Sequence, residues 1–242
     1  MIELFVEFDT ADVGSIVELF CSLPDELCPT HFCFGEGEPD TLISSVNDVL
    51  ESVGKAGIGP VLKNAQVTYE IGFFDGLVGE DRVTSKTITC NGFLKLGVEQ
   101  VKKLMQEILK SHPIFGFACL PEEKEAKNRV VIQQGVNKVE SWVGRDVTKY
   151  IPGFYWLTIL TNELLLKHGL QVETIRERAI EACEVNRNYL FCFYESPEEW
   201  NKSGSTQQLC SSPGVFNIEK AKKELLSKTN FLELDTALRQ WK

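Results

Sequence analysis

Glu36, Glu38 and Asp40 form the densest group of carboxylates in the chain, interleaved with Gly37 and Pro39. Oxygen ligands at that density could take up a divalent cation, but the regular ligand-glycine-ligand order of a calcium loop is missing. A solvated charge run accounts for the composition, and the functional reading is docking of a partner. Cys28, His31 and Cys33 are the one place where a transition metal could be argued. Their spacing fits no common zinc pattern. Strand alternation puts His31 and Cys33 on one face with Phe32 on the other, so a mildly polar strand explains them. The glycines of Gly54-Lys55-Ala56-Gly57-Ile58-Gly59-Pro60 follow a helix instead of preceding one, and Pro60 removes a donor. The segment therefore reads as a helix end and loop, not as a phosphate cradle.

His112 and His168 each end a helix, where an imidazole complements free carbonyls. No nucleophile-elbow, HExxH, Walker or dinucleotide pattern occurs. Carboxylates are plentiful, however, and an acid–base pair need not be close in sequence. No residue is assigned to catalysis, to a metal or to a cofactor.

Charge is the strongest signal. None of the 25 Lys and Arg lies between Met1 and Gly54, whereas twelve of the 35 Asp and Glu do, so the formal charge of −10 arises at one end of the chain. A localised negative field attracts basic partners and repels nucleic acid and anionic membrane. Asp25, Glu26, Glu36, Glu38, Asp40, Asp48 and Glu51 are the candidate partner-binding residues. With 242 residues, 43% hydrophobic and 25% charged, the chain can bury a substantial core. No apolar run approaches the roughly 20 residues that span a bilayer. The first residues are acidic and alternating, unlike a secretory signal, and a cytoplasmic location is expected. The eight cysteines are widely spread and read as free thiols packed as small hydrophobes.

The elements that must position these residues follow from periodicity. Residues 2–8 alternate as a strand, with Ile2, Leu4, Val6 and Phe8 on one face. Asp9, Thr10 and Asp12 supply N-cap chemistry for a helix over 11–23, residues 30–34 read as a strand, and a helix over 41–53 is closed by Gly54. Strands over 66–74 and 82–90 pair across the turn signal Asp75-Gly76. Residues 97–111 form the clearest amphipathic helix, and 114–120 a buried strand. The charged run 121–128 reads as solvated and as the division between halves. Beyond it come a short strand over 130–132, an apolar helix over 155–167, and a helix opened by the capping box Thr174-x-x-Glu177. An aromatic strand over 188–194, a helical turn over 197–201, a polar loop over 203–213, a helix capped by Asn217 and a tail complete the chain.

Tyr150-Ile151-Pro152-Gly153-Phe154-Tyr155-Trp156-Leu157 is the least generic segment. It resembles a stretch of bacterial immunity proteins of polymorphic and type VI secretion toxins, in which a Pro-Gly-aromatic-Tyr-Trp run precedes a helix. Residues 189–201, with Glu195-Ser196-Pro197-Glu198-Glu199-Trp200-Asn201 after a strand, are similar as well, as is the N-terminal order of strand, helix and Pro29-Thr30-His31-Phe32. The resemblance implies a cytoplasmic, non-enzymatic inhibitor of one cognate toxin domain, and more strand across 174–183 than the capping box predicts. It identifies no contact residues, and Phe154, Tyr155 and Trp156 themselves read as core.

The expectation is thus an α+β fold, a mixed or antiparallel sheet with helices packed on it. An acidic half over 1–120 and an aromatic-rich half over 121–242 form one compact unit. The expected function is neutralisation of a basic toxin domain, with a homodimer left open and neither nucleic acid nor membrane as partner. The alternatives are a carboxylate-dependent enzyme acting on a small molecule and an acidic regulatory or scaffold module.

Overall fold

The computed structural model describes the chain apart from residues 10–11, 37, 39, 79–80 and 203, and at residues 9, 25, 74–78, 81–86 and 205 it describes the backbone alone. Thr10, Gly37, Pro39 and Ser203, used above as cap or loop residues, lie outside the described residues. Alternation makes the first strand: β1 (Ile2–Asp9) buries Ile2, Leu4, Val6 and Phe8 and leaves Glu3, Phe5 and Glu7 half-buried on its other face. In α1 (Val13–Cys21) the stripe Ile16, Val17 and Phe20 is buried. Asp12 stands at its N-cap without a side-chain cap bond and accepts instead from the Ser15 hydroxyl. A 3-10 turn over Asp25–Leu27 leads to β2 (His31–Cys33) and the short β3 (Thr41–Leu42).

The helix expected over 41–53 starts and ends later. Ser45 caps α2 (Val46–Ala56) by accepting the Asp48 N–H, and Gly57, not Gly54, takes the left-handed conformation (φ 67°) that ends it. β4 (Val61–Lys63), β5 (Val67–Val78) and β6 (Asp81–Leu94) follow. Asp75 and Gly76 lie inside β5, opposite Thr84 and Val83, so the turn is not where the Asp-Gly pair predicts. Strand formers on both sides prolong the ladder past that local signal. α3 (Val98–Leu109) buries Val101, Leu104, Met105, Ile108 and Leu109 as its period predicts, and β7 (Pro113–Cys119) is buried almost throughout.

The run expected to be a solvated division is a helix, α4 (Pro121–Asn128), in which Glu123 and Asn128 are buried. Pro121 in its first turn, acids at its start and Lys127 at its end favour that structure. β8 (Arg129–Gln134) and β9 (Asn137–Trp142) form a hairpin. β10 (Leu157–Thr161) occupies the first part of the helix expected over 155–167, and α5 (Asn162–Lys167) forms only after it. Leu157, Thr158, Ile159 and Leu160 are all buried, and a strand covered on both faces carries no alternation by which to recognise it. Thr174 lies inside α6 (Val172–Arg176), so the capping box opens no helix. β11 (Glu181–Val185) stands in its place and turns through Asn186 and Arg187, both left-handed, into β12 (Asn188–Cys192). The polar loop over 203–213 contains α7 (Ser205–Leu209). Asn217 caps α8 (Ile218–Leu226) as expected, while the tail is a further helix, α9 (Phe231–Trp241), capped by Asn230.

Among the described residues one sheet runs in the order β11-β12-β10-β7-β1-β6-β5-β4-β2-β3, with β8 and β9 forming a second. Its ladders β1–β6, β5–β6, β4–β5, β2–β4, β2–β3 and β7–β10 are antiparallel, and the fold is α+β as the sequence predicts. The chain divides into two compact units, one of Met1–Ala118, Leu157–Thr161 and Cys183–Leu190, the other of Cys119–Trp156, Asn162–Ala182 and Phe191–Lys242. In the first, Phe20 and Tyr69 pack with ring centroids 4.5 Å apart, and the Tyr69 hydroxyl donates to the Leu27 carbonyl at 3.0 Å. In the second, Val130, Val143, Phe216, Leu225, Leu234 and Leu238 form a buried cluster. No helix among the described residues is long and apolar enough to cross a membrane.

Candidate binding surface

Five of the seven candidate acids are exposed residues of the first unit. Glu36, Glu38 and Asp40 occupy the loop between β2 and β3, the strand at the end of the sheet, while Asp48 and Glu51 lie on the outer side of α2. Val49 and Val53 turn the opposite side of that helix inward, which is why its acids face solvent. Asp40 pairs with Lys63 at 2.7 Å, and that hydrogen-bonded contact holds the ammonium pKa above its ordinary value. Glu51 lies 3.8 Å from Lys55, both ends being largely exposed, so the pair contributes little. Among the described residues, Glu36, Glu38 and Asp48 have no ion-pair partner.

The other acids of residues 1–54 are placed differently. Glu26, on the 3-10 turn, interacts with Gln100 and Lys103 of α3; its own backbone N–H is the largest influence lowering its pKa. Asn64 fixes this turn by donating to the Glu26 and Cys28 carbonyls at 3.0 and 2.7 Å. The Asp25 side chain lies outside the described residues. Glu3 and Glu7 stand half-buried on β1, opposite Phe93 and Thr89. Asp12 and Glu18, at and on α1, are exposed as well, so the exposed acids of residues 1–54 are not confined to residues 36–51.

The second unit holds a charged group that sequence reasoning missed. Glu123 is 0% exposed, and its carboxylate accepts from Lys127 Nζ at 2.5 Å and from the Trp156 N–H at 3.3 Å. Lys127 also donates to the Phe154 carbonyl and lies 5.2 Å from the Tyr155 ring centroid and 5.9 Å from that of Tyr194. Burial pushes the Glu123 pKa up, against the pull of Lys127. For Lys127 burial acts downward most strongly, but the charges of Glu123 and Tyr194 outweigh it and the net direction is up. The Tyr155 hydroxyl donates to Asn128 Oδ1 at 2.5 Å, and the Asn128 amide donates to the carbonyls of Val143, Gly144 and Pro152. Trp156 Nε1 donates to the Tyr194 carbonyl at 3.0 Å, and the Tyr194 and Thr206 hydroxyls lie 2.6 Å apart. Phe154, Tyr155 and Trp156 are buried, as their composition predicts. The polar groups of this network are engaged with one another, the arrangement of a structural strut. Its sequence signal was the i,i+4 spacing of Glu123 and Lys127 behind a helix-starting proline.

The remaining chemical candidates have local explanations. The Cys28 thiol donates to the Cys21 carbonyl, His31 Nδ1 bonds the Thr30 hydroxyl, and Cys33 is buried. No group of three metal-ligating side chains converges among the described residues. Residues 54–60 carry the end of α2, and Gly59 lies against the Ile71 carbonyl, with no room for a Cβ. His112 is left-handed (φ 56°), and its ring bonds the Asn188 amide at 3.0 Å rather than free carbonyls; His168 Nε2 bonds the Val147 carbonyl at 3.0 Å. A groove of 320 Å³ beside α8 and α9 contains Glu224 and Glu233, but Trp241 Nε1 donates to the first and the Thr229 N–H to the second. The chain matches no family model, no curated protein and no solved structure.

Proposed function

We propose that the protein binds a basic protein partner through residues 36–51, and that it is an immunity protein which neutralises a cognate bacterial toxin in the cytoplasm. The observation that carries this reading is the run of exposed acids with no base among them, in which Glu36, Glu38 and Asp48 have no described ion-pair partner. Such a surface steers a positively charged protein toward itself and discriminates against acidic ones. The resemblance carried by residues 150–157 adds support. The experiment is to look beside the gene for a secreted protein with a C-terminal toxin domain and to co-express that domain with this chain. Restored growth with formation of a 1:1 or other defined complex is expected; continued killing with no complex would remove the proposal.

A further inference from the structure

We propose that the solvent-facing side of the first unit's sheet holds an arginine-binding subsite, built on Phe93 and Glu70, for a basic segment of a protein partner. Alternation gives this part of the sheet one dry side and one wet side. Leu4, Leu62, Val67, Tyr69 and Leu94 are buried on the side where Phe20 of α1 meets Tyr69. On the other side Phe93 is 36% exposed, Glu70 is exposed, and Thr68, Asn91 and Val61 are half-buried. The antiparallel register sets these residues in rows. Glu3, Phe93, Thr68, Lys63, His31 and Leu42 lie across six adjacent strands, and Phe5, Asn91, Glu70 and Val61 form the next row. Phe93 therefore stands on an interior strand, with Glu3 directly beside it on β1 and Glu70 diagonally across on β5.

Charge decides what this face accepts. These rows and the next, of Glu7, Thr89 and Gly72, carry the acids Glu3, Glu7 and Glu70. Among their described residues Lys63 is the only Lys or Arg, and Asp40 pairs with it at 2.7 Å. An anionic partner would be repelled, and a second copy presenting the same face would set acid against acid. A cationic segment fits, and the phenyl ring selects arginine. Diagonal neighbours on paired strands lie about 7–8 Å apart, within reach of one long side chain. A guanidinium lying within about 6 Å of the Phe93 ring centre stacks by its flat face and turns its edge N–H groups to the Glu70 carboxylate. The lysine ammonium is a more strongly hydrated point charge with no flat face to stack. This surface extends the binding of a basic partner proposed above to a second place on the chain. It does not use Glu36, Glu38 or Asp48, so either proposal can fail without the other.

The test is fluorescence anisotropy of dye-labelled hexa-arginine and hexa-lysine peptides titrated with the full chain at about 0.15 M salt, where distant surface charge is largely screened. Hexa-arginine is expected to bind more tightly than hexa-lysine. Phe93→Leu and Glu70→Gln should each weaken hexa-arginine binding by about two- to fivefold, and Phe93→Leu should remove its advantage over hexa-lysine. The triple variant Glu36→Gln, Glu38→Gln, Asp48→Asn should retain that advantage. Glu70 is exposed, so its variant reads the site even where Phe93→Leu lowers stability. No binding of hexa-arginine, equal binding of the two peptides, or hexa-arginine binding unchanged in both Phe93→Leu and Glu70→Gln would overturn the proposal. So would an arginine advantage lost in the triple variant alone.

Discussion

Glu123 and Lys127 stand four residues apart in a stretch whose composition reads as solvent-facing, yet the carboxylate is fully buried and the ammonium nearly so. Taking away one partner of such a pair leaves an uncompensated charge, and the usual cost is about 3–5 kcal/mol. Lys127→Met should lose that much in urea unfolding, and the double change with Glu123→Gln should lose clearly less. A neutral Lys127→Met would mean that the pair is not buried in solution. Alkaline pH offers a second check. Burial raises Tyr150 and Tyr194 to about 12 and pushes Tyr69 and Tyr155 up as well; Lys127 is also raised. Unfolded Tyr and Lys titrate near pH 10. Groups whose folded pKa is raised contribute stability that is whole below the unfolded value and lost as pH climbs through the folded one. Unfolding midpoints should therefore hold to about pH 10 and fall steeply toward 12, and Tyr194→Phe should soften that fall. At this scale the acids of residues 36–51 were legible because no base lies among them. The buried pair was not, because charge composition says nothing about which side of a helix meets the core.

At the scale of elements, periodic segments with one wet face were read well. β1, α3 and the capped α8 follow directly from Ile2-x-Leu4-x-Val6, from the stripe of Val101, Leu104, Met105 and Ile108, and from Asn217. Failures fall where both faces are covered or where a local signal competes with pairing. Leu157–Leu160 has no period to reveal its strand, and Asp75-Gly76 offers a turn that the ladder overrides. The Thr174–Glu177 box likewise yields to strand pairing in the following residues. Two glycines separate conformation from crowding. Gly57 and Gly144 have φ of 67° and 71°, but a Cβ at Gly57 would meet open space, whereas at Gly144 it would stand 2.2 Å from the Phe216 ring. Gly57→Ala should cost about 1–2 kcal/mol, the left-handed penalty alone. Gly144→Ala should cost more than that, because Phe216 belongs to a packed cluster and cannot yield freely. Equal losses in denaturant titrations would contradict this placement of Phe216.

At the scale of the whole molecule, the charge of −10 is concentrated in sequence but only partly in space. Glu3 and Glu7 belong to the sheet and Glu26 interacts with α3, whereas Glu36, Glu38, Asp40, Asp48 and Glu51 are exposed, as are Asp12 and Glu18 at α1. Exposed charges act mainly on encounter, raising association from about 10⁵–10⁶ M⁻¹s⁻¹ toward 10⁸ M⁻¹s⁻¹ at low salt, and are screened over about 8–10 Å at physiological ionic strength. Rim charges change the on-rate and its salt dependence far more than they change dissociation. The most direct test is therefore the association rate with the toxin domain that the proposed function requires, over a salt series, measured for the unaltered protein and for the triple variant Glu36→Gln, Glu38→Gln, Asp48→Asn. The account predicts a steep fall with salt for the unaltered protein, and for the variant an on-rate lower by about tenfold at low salt with dissociation little changed. Association that is flat across the series, and the same in the variant, would contradict it.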